Sequence, residues 1–283
     1  MEIRELYIRG KKLLTYAEIE SADIEASSLL AGSIGVDMLS IFTEPHKEVN
    51  DGLIERYNEF LNRRLNGEPY SYITGTKEFY SLEFNVNNDV LIPRPETELL
   101  VETALEKIPE EAEFTILDAG TGSGCIGVTL CTLRDHLTIL GTDISLEAVK
   151  IAESNSKLNG TGNTCTFINC DYLTVFKTQS ADMIVSNPPY IPDDDFDNLQ
   201  VEVKNYEPKT ALLGGKDGLD HLRILAETAR DALKREGWLI FEIGIGQSEN
   251  VVGILKLNGF SNIEIKKDIN GIDRVVSGQW KKY

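Results

Sequence analysis

The sequence predicts an α/β fold in which a seven-stranded, mostly parallel sheet follows a small helical region and a β-hairpin. From residue 114 onward, apolar runs of strand length alternate with segments of helical spacing, which is typical of a parallel sheet with helices on both faces. Residues 1–75 show the helical spacing instead. A chain of 283 residues is long enough for both parts to bury a core of their own.

We therefore divide the chain into three parts. Residues 1–75 are predicted to form a helical domain, residues 76–92 a hairpin linker, and residues 93–283 the α/β domain. In the linker, two short apolar runs flank Asn87-Asn88, which we predict to be the hairpin turn. The helical domain shows no catalytic constellation, so it is either an accessory bundle or a docking module for a partner.

The clearest helix of the first domain is predicted over residues 50–66. Asn50 or Asp51 is suited to cap its start, and Gly67 lies just past its end. The arginines of this helix, Arg64 among them, are expected to point away from its apolar stripe.

The elements of the α/β domain follow from the alternation itself. Seven strands are predicted, at Phe114–Leu117, Leu137–Gly141, Cys165–Asn169, Met183–Ser186, Trp238–Ile243, Ile263–Lys267 and Arg274–Ser277. Helices are predicted near 125–133, 146–158, 218–235 and 248–258.

Composition restricts the classes of function. The net charge of −18 argues against broad capture of DNA or RNA, which needs a basic surface. No apolar run reaches 18 residues and the first residues form no signal segment, so we expect a cytoplasmic protein that does not enter membranes. The four cysteines show neither CxxC nor zinc spacing, so we expect reduced core thiols and no metal site.

A glycine-rich loop follows the first predicted strand. Residues 117–124 read Leu-Asp-Ala-Gly-Thr-Gly-Ser-Gly and open a helix, which lets the backbone approach a ligand closely. Asp118 stands before the glycines, and Asp143 ends the second strand, where a carboxylate can accept from both hydroxyls of a ribose. Asp171 and Tyr172 follow the third strand and are placed to flank an adenine ring.

The same loop leaves two cofactor classes open. Gly122-x-Gly124-x-x-Gly127 also satisfies the dinucleotide fingerprint, with Asp143 near the expected distance, so a nicotinamide dehydrogenase is a rival. An acid before the glycines would repel a pyrophosphate, but Asp118 suits the ammonium of an amino-acid moiety. S-adenosylmethionine (SAM) carries both that ammonium and a ribose, which favours SAM.

A second motif, Asn187-Pro188-Pro189-Tyr190, follows the fourth strand. The two prolines fix the backbone and remove two donors, so the loop cannot continue as helix or sheet. Its free groups are the oxygens of Asn187 and Pro188 and the ring of Tyr190, which suit a planar group bearing NH2. A simple proline turn is the alternative if the motif is taken alone.

Together these motifs resemble class I methyltransferases that act on a planar nitrogen, which include adenine-N6 and protein-glutamine enzymes. Three further stretches resemble the HemK-type release factor glutamine methyltransferases. They are Ile92-Pro93-Arg94-Pro95-Glu96-Thr97-Glu98, the pattern Glu207-Pro208-x-x-Ala211-Leu212-x-Gly214-Gly215-x-Asp217-Gly218-Leu219, and Glu242-Ile243-Gly244 with Gln247 and Asp273-Arg274-Val275-Val276. The resemblance covers nearly the whole chain.

The resemblance implies a class I SAM-dependent methyltransferase fold and an enzyme that methylates a glutamine side-chain amide. The glutamine would lie in the Gly-Gly-Gln loop of class 1 peptide chain release factors, with S-adenosyl-L-homocysteine as the second product. The partner would be that protein and not a specific nucleic acid, and a monomer is expected. The implied cofactor residues are Asp118, Gly120, Thr121, Gly122, Ser123, Gly124, Asp143, Asp171, Tyr172 and Asn187. The implied substrate residues are Arg94, Asn187, Pro188, Pro189 and Tyr190.

The chemistry assigned to these residues is alignment. The Asn187 side-chain oxygen and the Pro188 carbonyl are each expected to accept one N–H of the target amide, and Tyr190 to pack on its plane. No general base is assigned, and the three histidines are interpreted as structural or surface residues. An adenine-N6 methyltransferase and a SAM-binding protein without activity remain as the other interpretations.

Overall fold

The computed structural model describes residues 1–176 and 179–281. Contacts divide the chain into two compact units. The smaller comprises Met1–Gly75 and Gln200–Tyr206, and the larger comprises Thr76–Leu199 and the chain from Glu207 onward. Residues 76–92 belong to the larger unit by their contacts, and the segment 200–206, which the sequence-based division left in the α/β part, belongs to the helical unit.

The described helices are short to medium in length, and none is long and apolar enough to cross a membrane. They are α1 (Ile3–Tyr16), α2 (Ala22–Ile34), α3 (Ser40–Thr43), α4 (Asp51–Leu65), α5 (Tyr70–Thr74), α6 (Glu98–Leu105), α7 (Cys125–Leu133), α8 (Leu146–Leu158), α9 (Val201–Tyr206), α10 (Asp220–Ala232) and α11 (Ser248–Leu257). Short 3-10 helices occur at Pro95–Thr97, Asp193–Asn198 and Lys209–Ala211.

The strands form a hairpin and one large sheet. They are β1 (Thr76–Phe79), β2 (Leu82–Asn85), β3 (Phe114–Ala119), β4 (Leu137–Asp143), β5 (Cys165–Asn169), β6 (Ala181–Ser186), β7 (Leu233–Glu242), β8 (Phe260–Lys267) and β9 (Asp273–Trp280). The sheet has seven strands in the order β5-β4-β3-β6-β7-β9-β8. Strands β3 to β7 pair in parallel, and among the described strands of this sheet β9 runs in the opposite direction, pairing antiparallel with both β7 and β8, which confirms the predicted fold class.

The centre of the sheet is buried on both faces, which explains the continuous apolar runs of its strands. Ile116 and Leu117 are adjacent in β3 and both fully buried, yet they belong to different core clusters. The first cluster takes in side chains of α6, α7 and α8, and the second takes in those of α10 and α11. Alternation along one strand thus anchors a helical layer on each face.

The hairpin has a different turn from the one predicted. Phe79 pairs with Leu82, so Tyr80 and Ser81 form the two-residue turn, with φ of 53° and 61°. Phe79 and Phe84 are both buried, and their rings pack edge to face with their centroids 6.1 Å apart. Their burial decides which face of the hairpin is turned to the core and thereby sets the register of the two strands. Asn87-Asn88 was therefore the wrong turn, because the strands end before it.

The helix predicted over 218–235 was too long at its carboxyl end. It ends at Ala232, and Leu233 already pairs with Ala181 of β6. A register shift follows before Trp238 pairs with Met183. The irregular residues between these pairs conceal the start of β7 in the sequence pattern.

The helical unit packs its own core around α4. Asn50 caps this helix by accepting from the backbone N–H of Leu53, as predicted. Arg64 does not point outward as expected, since its side chain is only 6% exposed. Its guanidinium bridges Glu25 of α2 at 2.5 Å and Glu202 of α9 at 2.7 Å, so one cation holds two acids that are distant in sequence.

Replacing Arg64 should destabilise the helical unit, because Glu25 would be left partly buried without its cation. We expect Arg64→Met to lower the free energy of unfolding by about 3 kcal/mol in urea denaturation. Arg56→Met on the exposed side of the same helix is the matched control and should cost less than about 1 kcal/mol. Equal losses in the two variants would show that the buried ion pair adds nothing.

Candidate active site at the carboxyl ends of the parallel strands

A cavity of about 440 Å³ lies where the loops after β3, β4, β5 and β6 meet. Parallel strands place their carboxyl ends at one edge, and open α/β sheets bind ligands there. The structure brings most of the predicted site residues into its wall: Arg94, Gly120, Thr121, Gly122, Ser123, Asp143, Asp171, Tyr172, Asn187 and Pro189. Four others are described but do not line it, namely Asp118, Gly124, Pro188 and Tyr190.

The backbone of the glycine loop adopts a conformation that favours glycine at three positions. Gly120, Gly122 and Gly124 have φ of 73°, 54° and 80°, a region that side chains other than glycine rarely adopt. The N–H of Thr121 donates to the carbonyl of Thr142 at 2.8 Å, which ties the loop to β4. The loop therefore offers a backbone surface to the cavity with no side chain at its three glycines.

Asp118 lies beneath this loop and not in the cavity. Its carboxylate is fully buried, and Oδ2 accepts from the Thr121 hydroxyl at 2.7 Å and from the N–H of Gly127 at 3.2 Å. Burial raises the pKa of this carboxyl to about 6, although these hydrogen bonds act to lower it. Asp118 thus fastens the loop to the start of α7, and its role towards a ligand ammonium stays a prediction.

Asp143 does reach the cavity. Its Oδ2 accepts from the N–H of Gly122 at 2.9 Å, and its Oδ1 accepts from the N–H of Ser145 at 2.9 Å. Burial raises the pKa of the Asp143 carboxyl. Each carboxylate oxygen can accept a further hydrogen bond, so the fixed side chain can receive two neighbouring hydroxyls.

Tyr172 and His221 form one wall of the cavity together. The Tyr172 hydroxyl lies 2.7 Å from His221 Nδ1, and His221 Nε2 lies 3.2 Å from the Leu213 carbonyl oxygen. Because a carbonyl only accepts, Nε2 carries the ring hydrogen and Nδ1 accepts from the tyrosine. The sequence analysis missed His221 as a cavity residue, and its position just after the 207–219 stretch was the one available signal.

Asn187 is linked to a buried carboxylate. Its side-chain Nδ2 lies 3.1 Å from Thr97 Oγ1, and that hydroxyl donates to Glu242 Oε2 at 2.6 Å. The other oxygen, Oε1, accepts from the Tyr190 hydroxyl at 3.2 Å. The first and last residues of the tetrapeptide are thus joined through Glu242, which is 1% exposed.

The backbone of the tetrapeptide is held on one side by the 214–218 stretch and is also hydrogen-bonded by Gln247. A Cβ added at Gly218 would lie 2.3 Å from the Tyr190 carbonyl oxygen, and one at Gly214 would lie 2.8 Å from the Pro189 oxygen. Gln247 Nε2 donates to the Tyr190 carbonyl at 3.0 Å. The 214–218 stretch, which is a turn before α10, therefore also shapes the loop after β6.

Arg94 stands at the rim with its charge already paired. Its Nη2 donates to Oε1 of Glu207, a residue that is 5% exposed. The loop that carries Arg94 is thereby fixed to the 207–219 stretch, and the arginine borders the cavity beside Thr97.

Glu242 should make stability depend on pH in a defined direction. Burial raises its pKa from 4.5 to about 7, so the folded protein binds an extra proton between these values and its stability falls as the pH rises through this window. We expect the unfolding free energy of Glu242→Gln, relative to wild type, to rise by about 2–3 kcal/mol from pH 4.5 to 7.5 in urea titrations. Glu249→Gln on α11 removes an exposed carboxylate as the control, and a flat difference for Glu242→Gln would contradict the assignment.

Two glycines with similar backbone conformations allow the cost of a left-handed backbone to be measured apart from the cost of a steric clash. Gly218 and Gly246 have φ of 74° and 79°, but a Cβ at Gly246 meets nothing within 4 Å. We expect Gly218→Ala to lower the melting temperature by several degrees more than Gly246→Ala, because of the two added methyl groups only the one at position 218 would clash with the Tyr190 carbonyl oxygen. Calorimetry that gives the same shift for both would refute this contact.

The comparisons with known proteins concern the fold and the family of the chain. The model for the PrmC N-terminal domain matches residues 5–75, and the model for the methyltransferase small domain matches residues 95–202. A solved methyltransferase from Pyrococcus furiosus aligns with a TM-score of 0.55 at 15% identity, over 80% of this chain and 100% of that one, which supports the fold.

Two curated relatives align over nearly their full length. The release factor glutamine methyltransferase of Geobacter sulfurreducens is 40% identical and is matched over 92% of this chain and 90% of its own. That of Koribacter versatilis is 38% identical over 99% of both chains. These matches confirm the resemblance and exclude the dehydrogenase interpretation. The chain therefore belongs to the release factor glutamine methyltransferase family.

Proposed function

We propose that this enzyme transfers a methyl group from SAM to the side-chain amide nitrogen of the glutamine in the Gly-Gly-Gln loop of class 1 release factors. One observation carries the proposal: a single cavity is lined both by the glycine loop with Asp143 and by Asn187. This shared lining supports a cofactor site next to a group that recognises a planar NH2. Family membership narrows that planar group to a glutamine amide.

The cavity fits SAM by the chemistry of its donors. Gly120 and Gly122 would supply backbone free of side chains, with Thr121 and Ser123 beside them; Asp143 would hold the ribose hydroxyls, and Tyr172 with Asp171 would flank the adenine. Bound there, SAM supplies a methyl group on a sulfonium, which is a good leaving group. S-adenosyl-L-homocysteine is the product left after transfer.

The protein residues align the nucleophile. An amide nitrogen is a poor nucleophile because its lone pair is delocalised into the carbonyl, so orientation is the main contribution available. We assign the Asn187 side-chain oxygen and the Pro188 carbonyl to accept the two N–H groups, which leaves the third direction of the nitrogen for the methyl. Well-oriented reactants can gain about 7–11 kcal/mol from proximity alone. The nitrogen loses one proton after transfer, to water or a backbone acceptor.

Pro189 and Tyr190 complete the substrate side in this proposal. Pro189 lines the cavity. Tyr190 does not line it, but Glu242 and Gln247 hold this residue next to the cavity wall, and we assign its ring to pack on the amide plane. Arg94 borders the same space and would contact the loop that carries the glutamine.

The two units would divide the work. We assign docking of the release factor to residues 1–75, joined by residues 76–92 to the transferase part at 93–283. The match of a separate N-terminal family model to residues 5–75 supports this division. The net charge of −18 favours a protein over a nucleic acid as partner. Because release factors act on ribosomes, we place the reaction in the cytoplasm, with the enzyme as a monomer.

The direct test is to incubate the protein with labelled SAM and either a class 1 release factor or DNA, and to locate the label by mass spectrometry. Label on the loop glutamine is expected. Label on DNA would instead favour an adenine-N6 methyltransferase, and label on neither would overturn the proposal.

Asn187→Ala should separate transfer from cofactor binding. We expect at least about 100-fold slower transfer, since one preorganised hydrogen-bonding group is lost at the reacting nitrogen, with little change in SAM affinity by calorimetry. Asn198→Ala, an exposed asparagine on the same loop segment, is the matched control. Transfer by Asn187→Ala at the wild-type rate would refute the assigned role.

A further inference from the structure

Asn187 is hydrogen-bonded to Thr97, which is in turn hydrogen-bonded to Glu242, and the transfer chemistry has not used either of these two buried residues. Thr97, at the turn before α6, is 1% exposed, and Glu242, at the end of β7, is equally buried. Thr97 lines the cavity, whereas Glu242 lies behind it. The two are 145 residues apart and are brought together by the fold.

When Glu242 is ionised, the hydrogen bonds of this group have one consistent direction. A carboxylate can only accept, so the Thr97 hydroxyl donates its single hydrogen to Glu242 Oε2, at 2.6 Å. Towards Asn187, Thr97 Oγ1 can then only accept. The side-chain nitrogen of Asn187 must face Thr97, at 3.1 Å, and its oxygen must face away.

We infer that Thr97 and Glu242 are positioning residues of the transfer site, which fix the Asn187 carboxamide with its oxygen presented to the target N–H. The carboxylate sets the direction of the threonine hydroxyl, and the hydroxyl sets the orientation of the carboxamide. The inference rests on the proposed function for the identity of the target, but the orientation of Asn187 is a property of the protein alone.

The second oxygen of Glu242 extends the effect to Tyr190. Oε1 accepts from the Tyr190 hydroxyl at 3.2 Å, while the Tyr190 carbonyl is held by Gln247 at 3.0 Å. One carboxylate thereby positions both side chains that would contact the target amide. A buried carboxylate is costly to keep in a core, which agrees with a role in the site and not in packing.

We call the chain of hydrogen bonds from Glu242 through Thr97 to Asn187 the relay. Thr97→Val tests it, because valine keeps the shape of threonine and removes the hydroxyl. We expect kcat for release factor methylation to fall at least about 10-fold, since Asn187 would no longer be held in one orientation. SAM affinity should change little. Thr97→Ser restores the hydroxyl and should recover most of the loss. Thr103→Val is the matched control, because Thr103 is a buried threonine whose hydroxyl bonds to the Leu99 carbonyl within α6.

A second measurement does not require activity. The side-chain amide signals of Asn187 in a ¹H–¹⁵N spectrum can be identified by their loss in Asn187→Ala. In wild type they should be protected from hydrogen exchange by the bond to Thr97, and Thr97→Val should lose this protection while Thr97→Ser keeps it. If Thr97→Val does not fold, Glu242→Gln serves instead, since its amide must donate to either Thr97 or Tyr190 and breaks the pattern.

The outcomes separate the two proposals. An inactive wild type overturns the proposed function, and the exchange data then decide the relay. An active wild type with full activity in Thr97→Val, or in Glu242→Gln where that replaces it, overturns the relay. Loss of kcat in Thr97→Val without recovery in Thr97→Ser also overturns it, because packing and not the hydroxyl would then be responsible.

Discussion

The site depends on the parallel pairing of β3 with both β4 and β6. Asp118 lies beside Gly141 on one side and Val185 on the other, so the loops that leave these strands start at the same edge. The Ser186 hydroxyl, at the end of β6, donates to the Ala119 carbonyl at 2.6 Å and joins the bases of the two central loops. The glycine loop, Asp143 and the tetrapeptide all lie at the ends of strands that reach that edge of the sheet.

Rigidity in this site comes from segments far away in the sequence. The prolines restrict the tetrapeptide locally, but its position is set by the 214–218 turn and by Gln247 at the start of α11. The cofactor side is built in the same way, because Asp118 and Asp143 tie the glycine loop to α7 and β4. Both halves are thus preorganised by groups outside the motifs themselves, which suits a reaction that depends on alignment.

Motifs carried by strand ends could be predicted from the sequence because topology alone brings them together. The glycine loop, Asp143 and Asn187 needed only the parallel alternation to be placed at one edge. The side on which Asp118 points could not be derived, because it depends on where the chain turns into α7. Thr97 and Glu242 were missed as partners of Asn187 for a similar reason, since Thr97 is 90 residues from Asn187 and the contact exists only in the folded chain.

Local propensity failed where tertiary burial competed with it. Asn87-Asn88 is a good turn sequence, yet burial of Phe79 and Phe84 places the hairpin turn at Tyr80-Ser81. Arg64 on an amphipathic helix is ordinarily exposed, and only the approach of Glu25 and Glu202 explains its burial. The seven-stranded architecture was predictable because it rests on periodicity over long stretches, whereas these contacts rest on single pairs.

The hydroxyl of Thr97 has one hydrogen, and its donation to Glu242 affects which molecules the site can reject. With that direction set, Asn187 would present its side-chain oxygen to the target, and this oxygen would be complementary to a donor and would repel a second acceptor. A glutamate in place of the target glutamine would bring two acceptor oxygens and a negative charge against that oxygen. Under the proposed function, a release factor whose target glutamine had been hydrolysed would therefore be discriminated against by hydrogen-bond polarity, although its shape is almost unchanged.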